Sequence, residues 1–110
     1  MSKYRSQKII IDGISFDSKR EGNRYVELKM LERAGKIKDL ELQHQYELQP
    51  SFRKNGKTIR AITYVADFTY FDLERMRIVV EDVKGFKTDV YMLKRKLFEF
   101  KFPELTIVEV

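Results

Sequence analysis

Two β-forming stretches, separated by a short polar connection, lie in the second half of the sequence. The first runs from Thr58 to about Phe71 and is rich in β-branched and aromatic residues, while the second, 77–84, is nearly continuous in its apolar part. The connection, 72–75, is short enough that the two stretches pair as an antiparallel hairpin. A nearly continuous apolar strand belongs in the interior of a sheet. The rest of the chain must therefore pack around this central hairpin.

The remaining segments predict two helices and further strands. Asp12-Gly13 is a tight-turn dipeptide, which indicates a short N-terminal β-hairpin over about 9–16. Asn55-Gly56 is a second such turn signal, placed just before the first central stretch. The sequence also predicts a helix over about 19–34 with Ser18 as its N-cap, followed by a strand over 37–49. A second helix, capped by Thr88 or Asp89, runs to about residue 101, and a last strand covers 105–110.

This element order predicts an α/β fold. The αβββαβ order has an antiparallel meander first and a crossover helix second, so we expect a mixed central sheet flanked by helices. A chain of 110 residues forms one domain, with an N-terminal arm and hairpin over 1–17 and a core over 18–110. No apolar run approaches the roughly 20 residues that cross a bilayer. We therefore expect a soluble, intracellular protein with no membrane partner.

Composition excludes several kinds of functional site. The chain has no Cys, which excludes a thiolate zinc site, an iron–sulfur cluster and a cysteine nucleophile. With a single His, any metal must sit among oxygen ligands, the preference of Mg²⁺ and Mn²⁺. The net charge of +5 favours a polyanionic partner such as nucleic acid.

Asp67 and Asp82 interrupt the two central stretches with carboxylates. A charged residue among β-formers is unfavourable unless it faces a partner. If the connection turns between residues 73 and 74, Asp67 pairs opposite Val80, and Asp82 becomes its diagonal neighbour on the same face. The two Cβ atoms would then be roughly 7–8 Å apart.

Lys84 joins these two acids by alternation, because it follows Asp82 by two residues in the same strand. Two carboxylates at this spacing share one divalent cation, and a lysine beside them orients or deprotonates an attacking water. The pattern predicts phosphodiester hydrolysis by metal and lysine. The structural alternatives are a strand-edge role for Asp67 and a simple salt bridge between Asp82 and Lys84. Glu81 competes for the acidic role, but alternation turns it to the opposite face unless a β-bulge intervenes.

Basic residues cluster in two places that we expect to contact nucleic acid phosphates. The first lies around the Asn55-Gly56 turn and the second at and before the last helix; the alternative for both is an ordinary solvated face. The predicted contacts are Arg53, Lys54, Lys57 and Arg60 in the first cluster and Lys87 and Lys94 in the second.

The strand pair Val65-Ala66-Asp67 and Glu81-Asp82-Val83-Lys84-Gly85 resembles the signature of the PD-(D/E)XK nucleases. That signature has an acidic residue on one strand, and then an acid, any residue and Lys on the next. Ala66 stands where the signature's proline would be. Over about Ile9 to Val110, the chain is similar to a small phage and prophage family assigned to that superfamily and related to Holliday-junction resolvases.

The resemblance implies a restriction-endonuclease-like core and a DNA endonuclease that depends on Mg²⁺ or Mn²⁺. It implies metal ligation by Asp67 and Asp82 with the Val83 carbonyl, and Lys84 acting on the water. It also suggests branched DNA as substrate, a role in phage replication or recombination, and action in the host cytoplasm. A homodimer would be the simplest way for so small a chain to cut two strands.

Glu21 matches the glutamate of the first helix that often completes the site in that superfamily, both as a catalytic group and as a metal ligand. Its alternative is structural, because Ser18-x-x-Glu21 is also a capping box. Two alternatives for the whole protein stay open. One is a catalytically inactive DNA-binding module of a phage replication or packaging complex, and the other is a nuclease that acts on RNA.

Overall fold

The computed structural model describes residues 7–110, so the first six residues of the predicted N-terminal arm lie outside the described residues. The described chain has two helices and eight strands. In order they are β1 (Ile9–Ile11), β2 (Ile14–Phe16), α1 (Lys19–Arg33), β3 (Ile37–Gln49), β4 (Phe52–Lys54), β5 (Lys57–Ile59), β6 (Ile62–Asp72), β7 (Arg77–Asp82), α2 (Asp89–Lys101) and β8 (Ile107–Glu109).

A four-stranded mixed sheet of order β3-β6-β7-β8 forms the centre of the molecule. β3, β6 and β7 are antiparallel, and β8 joins parallel to β7 through the crossover helix α2. The predicted α/β architecture, with a mixed sheet flanked by helices and an N-terminal hairpin, is confirmed. Within residues 7–110, neither helix is long and apolar enough to cross a membrane.

Both helices begin where their capping residues predict. Ser18 Oγ accepts a hydrogen bond from Glu21 N at 3.1 Å, and Thr88 Oγ1 accepts one from Tyr91 N at 3.0 Å. α1 ends before Gly35, which has a φ of +73°, as a helix C-terminus favours. The N-terminal hairpin lies close to the first turn of α1, since a Cβ on Gly22 would be 2.9 Å from Ile9 Cγ2.

The predicted strand from Thr58 to about Phe71 is wrong in one respect, because the structure divides it. Its first residues belong to β5, which pairs with β4 in a separate ribbon, and β6 begins at Ile62. Asn55 and Gly56 both have positive φ angles at the ribbon's turn. All six strand residues of the ribbon are exposed. The radius of gyration, 16.0 Å, exceeds the roughly 13 Å of a compact domain of this size, as expected for a molecule from which the β4–β5 ribbon projects.

The predicted register of the central hairpin is also wrong. Val80 pairs with Thr69, and the pairing continues to Phe68 and Glu81. The connection occupies residues 73–76 and includes Met76 at a φ of +55°, so the turn lies later than predicted and the register shifts by two residues.

Two core clusters lie on opposite faces of the sheet. The α1-side cluster comprises Phe16, Tyr25, Leu28, Ile37, Phe68 and Tyr70. The α2-side cluster comprises Tyr64, Ala66, Val80, Tyr91, Phe98 and Ile107. Each helix therefore covers one face, which leaves the strand ends between them as the place where polar groups can gather.

Candidate active site

Side-chain alternation along β6 changes at Asp67. Tyr64 and Ala66 belong to the α2-side cluster, whereas Phe68 and Tyr70 belong to the α1-side cluster. In a regular strand, residues two apart share a face, so all four would lie on one side. The change of face therefore occurs at Asp67, so this side chain does not follow the regular alternation between the two faces of the sheet.

The Asp67 carboxylate reaches the chain just beyond the end of β7. Its Oδ2 accepts a hydrogen bond from Val83 N at 2.8 Å, and its Oδ1 accepts one from Gln43 Nε2 at 3.4 Å. Gln43, on the neighbouring strand β3, has a left-handed φ of +56°. A backbone irregularity on β3 therefore accompanies the change on β6. Since Phe68 pairs with Glu81, the next position places Asp67 across from Asp82 rather than diagonal to it.

Asp82, the last residue of β7, is completely buried. Its Oδ2 accepts a hydrogen bond from the Tyr64 hydroxyl. Its Oδ1 forms an ion pair with Lys84 Nζ at 3.2 Å, without hydrogen-bond geometry, and has no hydrogen-bond partner among residues 7–110. A buried carboxylate oxygen in that state is suited to bind a cation.

Lys84 lies between the acids and α2. Besides its ion pair with Asp82, its Nζ lies 4.4 Å from the centre of the Tyr91 ring. A cation over an aromatic face is attracted to it, so the ring restricts where the ammonium can move. Sequence alternation correctly placed Lys84 beside Asp82, although β7 itself ends at Asp82.

The pKa of Asp67 is raised to about 7, first by burial and then by the neighbouring Asp82 carboxyl, against the lowering effect of the Val83 N–H. Two carboxyls in contact do not both ionise readily, so the pair holds a proton near neutral pH when no cation is bound. A divalent cation would displace that proton and satisfy both side chains.

Glu21 lies in the buried first turn of α1, and the structure places it near the site without joining it to the acid pair. Burial raises its pKa, as do the charges of Asp17 and Asp82, while Lys84 lowers it. Within residues 7–110, no group of three or more His, Asp or Glu side chains is close enough to hold one metal ion. The acids brought together are therefore Asp67 and Asp82.

These two acids fit Mg²⁺, which typically binds proteins through one or two carboxylates and keeps several waters. The absence of a hydrogen bond to the buried Asp82 Oδ1 among residues 7–110, and the raised pKa of Asp67 beside it, support this fit. The Val83 carbonyl belongs to the residue whose N–H bonds Asp67, and its role as a third oxygen ligand stays a prediction.

Glu81 belongs to a different arrangement on the α1 side of the sheet. It accepts hydrogen bonds from Arg24 Nε at 2.8 Å and Arg24 Nη2 at 2.6 Å, and from the Tyr70 hydroxyl. Its carboxylate is thus occupied in tying α1 to β7, which agrees with the alternation argument against it.

Sequence reasoning missed the residues that position the acids, Tyr64 and Gln43, and the residue that positions Lys84, Tyr91. Tyr64 could have been found, because a hydroxyl-bearing aromatic three residues before Asp67 in an apolar strand needs a buried partner. Tyr91 and Gln43 have no such signal, since their contacts depend on the crossover of α2 and on the φ angle of Gln43.

The predicted basic contacts lie on other elements. Lys54, Lys57 and Arg60 are exposed on or beside the β4–β5 ribbon. Arg53 braces that ribbon, because its guanidinium donates to Thr58 Oγ1 at 2.8 Å and to the Gly56 carbonyl at 2.9 Å.

The two remaining predicted contacts lie at α2. Lys87 precedes the helix and forms an ion pair with Glu109 at 2.9 Å. Lys94 is half-buried on the helix itself. Of these two side chains, Lys87 is already paired within the protein.

Comparison with known proteins adds one finding. No curated protein and no solved structure is significantly similar to this chain. One family model, described as a protein of unknown function (DUF1064), matches residues 1–110, and the chain therefore belongs to that family.

Proposed function

We propose that this protein is an Mg²⁺- or Mn²⁺-dependent DNA endonuclease with a restriction-endonuclease-like core of the PD-(D/E)XK type. The observation that carries the proposal is the Asp67–Asp82 pair with Lys84 beside it. One acid has a pKa raised to about 7 by burial, and the other has a buried oxygen without a hydrogen bond. Placing like charges at the centre of a sheet is costly unless they serve a cation.

Asp67 and Asp82, with the Val83 carbonyl, would hold the metal ion. When bound, the ion polarises a phosphoryl oxygen and lowers the pKa of a water molecule. The Tyr64 hydroxyl fixes the Asp82 carboxylate from its second oxygen, and the Val83 N–H fixes Asp67. Both ligands are therefore held in place before any ion arrives.

Lys84 supplies positive charge to the reacting phosphate. As the ammonium that is ion-paired with Asp82, it donates hydrogen bonds that orient the attacking water, and it neutralises charge that develops on the phosphate oxygens. The Tyr91 ring keeps the ammonium near the acids. Glu21, at the start of α1, would assist the reaction through its negative charge, which interacts electrostatically with Asp82 and Lys84.

The β4–β5 ribbon would provide the main DNA contact. A two-stranded ribbon fits the major groove of B-DNA, and basic side chains on such a ribbon reach the phosphates. The ribbon and the residue after it expose three basic side chains that could contact DNA, Lys54, Lys57 and Arg60. Arg53 stabilises the turn of the ribbon through its hydrogen bonds. We propose branched DNA as the preferred substrate and a homodimer as the cutting unit, acting in the cytoplasm of a phage host.

The test is a cleavage assay on supercoiled, linear and four-way-junction DNA and on RNA, with Mg²⁺, Mn²⁺, Ca²⁺ or EDTA. We expect DNA cleavage with Mg²⁺ or Mn²⁺ and none with Ca²⁺ or EDTA, because Ca²⁺ takes longer and looser coordination. Asp67→Asn and Asp82→Asn should abolish cleavage. Asp39→Asn is the matched control, since Asp39 is exposed and its φ of +57° suits Asn.

Each alternative gives a distinct result in the same assay. Tight DNA binding with no cleavage under any metal condition would indicate an inactive DNA-binding module. Cleavage of RNA alone would indicate a ribonuclease. Equal cleavage by wild type and by both Asn variants would reject the site.

A further inference from the structure

The two faces of the β4–β5 ribbon carry different side chains. Residues two apart along a strand share a face, and residues paired directly across two antiparallel strands share it as well. The pairs Phe52–Ile59 and Lys54–Lys57 therefore lie together on one face of the ribbon. These four residues are called the Phe52 face below.

The opposite face of the ribbon is held by hydrogen bonds within the ribbon itself. Its pair is Arg53 and Thr58, and the Arg53 guanidinium donates to Thr58 Oγ1 at 2.8 Å and to the Gly56 carbonyl at 2.9 Å. These bonds fix the turn from one side. The Phe52 face is therefore presented in one conformation, which lowers the entropy lost when a partner binds to it.

The apolar pair of the Phe52 face is exposed to solvent, Phe52 at 44% and Ile59 at 39%. Neither residue belongs to a core cluster of the described chain. Because directly paired side chains lie within about 5.5 Å of each other, the two form one continuous apolar surface. An exposed apolar pair is ordinary on a protein surface, so the residues beside it decide what it can bind.

Lys54 and Lys57 place two like charges opposite each other at the tip of the same face. Directly opposed like charges destabilise a strand pair. Segment 50–60 has no acidic residue, and among residues 7–110 neither lysine forms an ion pair. An anion that binds between the two ammonium groups would remove their repulsion, so the tip is suited to a phosphate group.

A phosphate beside an exposed aromatic ring is the chemistry of a nucleotide. Positions two apart on a strand are about 7 Å apart, so the lysines can contact a backbone phosphate while the Phe52 ring contacts a nearby base. The Phe ring has no hydrogen-bonding group, and it therefore binds a base through the flat face of that base. In a duplex the neighbouring base pairs cover this face, and uncovering it costs free energy. The Phe52 face thus favours a nucleotide that is already unpaired and unstacked.

A membrane surface shares part of this chemistry, because lipid headgroups carry phosphate and acyl chains are apolar. Stable attachment to a bilayer takes more buried apolar area than two half-exposed side chains offer. The Phe52 face therefore fits a nucleic acid better than a lipid surface.

We infer that the Phe52 face binds an unpaired nucleotide of the DNA substrate, with its base stacked on Phe52 and a phosphate between Lys54 and Lys57. The inference rests on the proposed function for the ribbon as the DNA contact, and it narrows the substrate to DNA with unstacked bases, such as those beside a branch point. Binding is measured in EDTA, where no cleavage occurs, so failure of this inference and failure of the cleavage proposal are separate results.

Fluorescence anisotropy of the full chain tests the contact, with a short labelled single strand of DNA and with the same strand annealed to its complement. Phe52→Leu keeps an apolar side chain and removes the aromatic ring, so it should weaken single-strand binding at least about fivefold. Duplex binding should change less than about twofold, because the lysines contact a duplex without the ring. Phe52→Tyr keeps the ring and should bind both like wild type.

Phe100→Leu is the matched control, since Phe100 on α2 is 87% exposed and lies outside the ribbon, and it should bind both DNA forms like wild type. Circular dichroism confirms that each variant is folded. Unchanged single-strand binding by Phe52→Leu would overturn the inference. Equal losses of single-strand and duplex binding would overturn the preference for an unpaired nucleotide.

Tryptophan fluorescence reports the stacking itself, because the chain has no Trp of its own. The emission of Phe52→Trp should be quenched when the single strand saturates it, since the indole ring stacks on a base. Phe100→Trp should keep its emission under the same conditions. An unquenched Phe52→Trp at saturation would overturn the stacking contact. A blue shift of Phe52→Trp with phosphatidylserine vesicles, and no response to the single strand, would assign the face to a lipid surface instead.

Discussion

At the residue scale, the candidate site brings together two carboxylates that repel each other, and the surrounding groups hold both of them in position. Asp67 and Asp82 face one another across the end of the central hairpin, and Tyr64, Gln43 and the Val83 N–H bond to them. These bonds fix the carboxylate positions, while the mutual repulsion remains. A cation or a shared proton is needed to relieve it.

The raised pKa of Asp67 predicts how stability changes with pH when metal is absent. A carboxyl with a pKa of about 7 in the folded chain and about 3.9 when unfolded binds more protons folded between those values. Its contribution to stability is therefore complete below about pH 4 and is lost as pH rises through 7. Asp67→Asn should raise the free energy of unfolding at pH 8 by roughly 1–2 kcal/mol relative to its effect at pH 5.

Urea unfolding in EDTA at the two pH values measures this difference. Asn retains an oxygen to accept the Val83 N–H, so the substitution removes charge without removing that bond. Asp39→Asn should show no such pH-dependent gain. A gain from Asp67→Asn that is the same at both pH values would contradict the raised pKa.

The substitution Glu21→Gln distinguishes a helix-capping role of Glu21 from a catalytic role. The observed cap bond joins Glu21 N to Ser18 Oγ, and Gln keeps that backbone donor. Gln lacks the negative charge that a polarised water or cation requires. The melting temperature should stay nearly constant while cleavage falls at least about tenfold, a loss of about 1.4 kcal/mol of transition-state stabilisation. Normal cleavage with an unchanged melt would assign Glu21 to the cap alone.

At the element scale, substitutions in the β4–β5 ribbon should affect DNA affinity, whereas substitutions in the acid–lysine site should affect turnover. Replacing Lys54 and Lys57 together with Ala should weaken DNA binding for all sequences and flatten its logarithmic salt dependence by about 2 units, if each lysine neutralises one phosphate. Lys84→Ala should change affinity little and lower turnover strongly. Fluorescence anisotropy at several salt concentrations and single-turnover cleavage measure the two effects.

The contrast between the two variants is the control. Equal losses of affinity in both, with single-turnover cleavage intact in Lys84→Ala, would remove Lys84 from the chemistry. An unchanged salt slope in the double variant would remove the ribbon from the phosphate contact.

A second element-scale prediction concerns how α2 is held against β8. Tyr91, Lys87 and Arg95 surround Glu109 with a hydroxyl and two cations, at 2.7, 2.9 and 2.8 Å. The Tyr91 and Lys87 hydrogen bonds, with the Arg95 charge, lower the pKa of Glu109 to about 2. Its contribution is present above the unfolded pKa of about 4.3 and is lost as pH falls toward 2.

Glu109→Gln should therefore destabilise the protein at pH 6 and destabilise it considerably less at pH 2.5, where part of the charge contribution remains. Urea unfolding at both pH values measures this change. Glu104→Gln is a suitable control, because Glu104 is exposed at the end of the same connection. A loss of equal size at both pH values would show that Glu109 acts through packing and not through charge.

Capping and turn residues made the element order predictable from sequence, because they act locally. Ser18, Thr88 and Asn55-Gly56 each mark a boundary that the structure confirms. The hairpin register was not predictable in the same way. It depends on where the connection turns, and the observed turn, which includes Met76 at a left-handed φ, lies one residue later than predicted and shifts every partner by two.

The sequence predicted which acidic and basic side chains lie together, but it predicted their relative positions only in part. Alternation correctly put Asp82 and Lys84 together, since it needs only strand periodicity. The change of face at Asp67 could not be inferred, because it arises where two core clusters on opposite sides of the sheet meet. Directly opposed acids are closer than diagonal ones, so the observed carboxylate pair repels more strongly than the predicted pair.

At the scale of the whole molecule, the acid pair lies where the two cores meet. Asp82 adjoins the α2-side cluster through Tyr64, while Glu81 beside it ties β7 to α1 through Arg24. Global unfolding must separate these residues. A cation bound by Asp67 and Asp82 would therefore stabilise the entire fold and not only its own ligands.

Thermal unfolding with and without Mg²⁺ tests that coupling independently of cleavage. A ligand that binds only the folded state stabilises it by RT ln(1 + [L]/Kd), about 1.4 kcal/mol at a concentration ten times Kd. Wild type at pH 8 should melt several degrees higher in excess Mg²⁺ than in EDTA, because the ion removes the repulsion between the acids. Asp67→Asn should lose most of this shift, whereas Glu81→Gln, which is less stable from the start, should keep it. A shift of equal size in wild type and Asp67→Asn would place the stabilising ion elsewhere on the molecule.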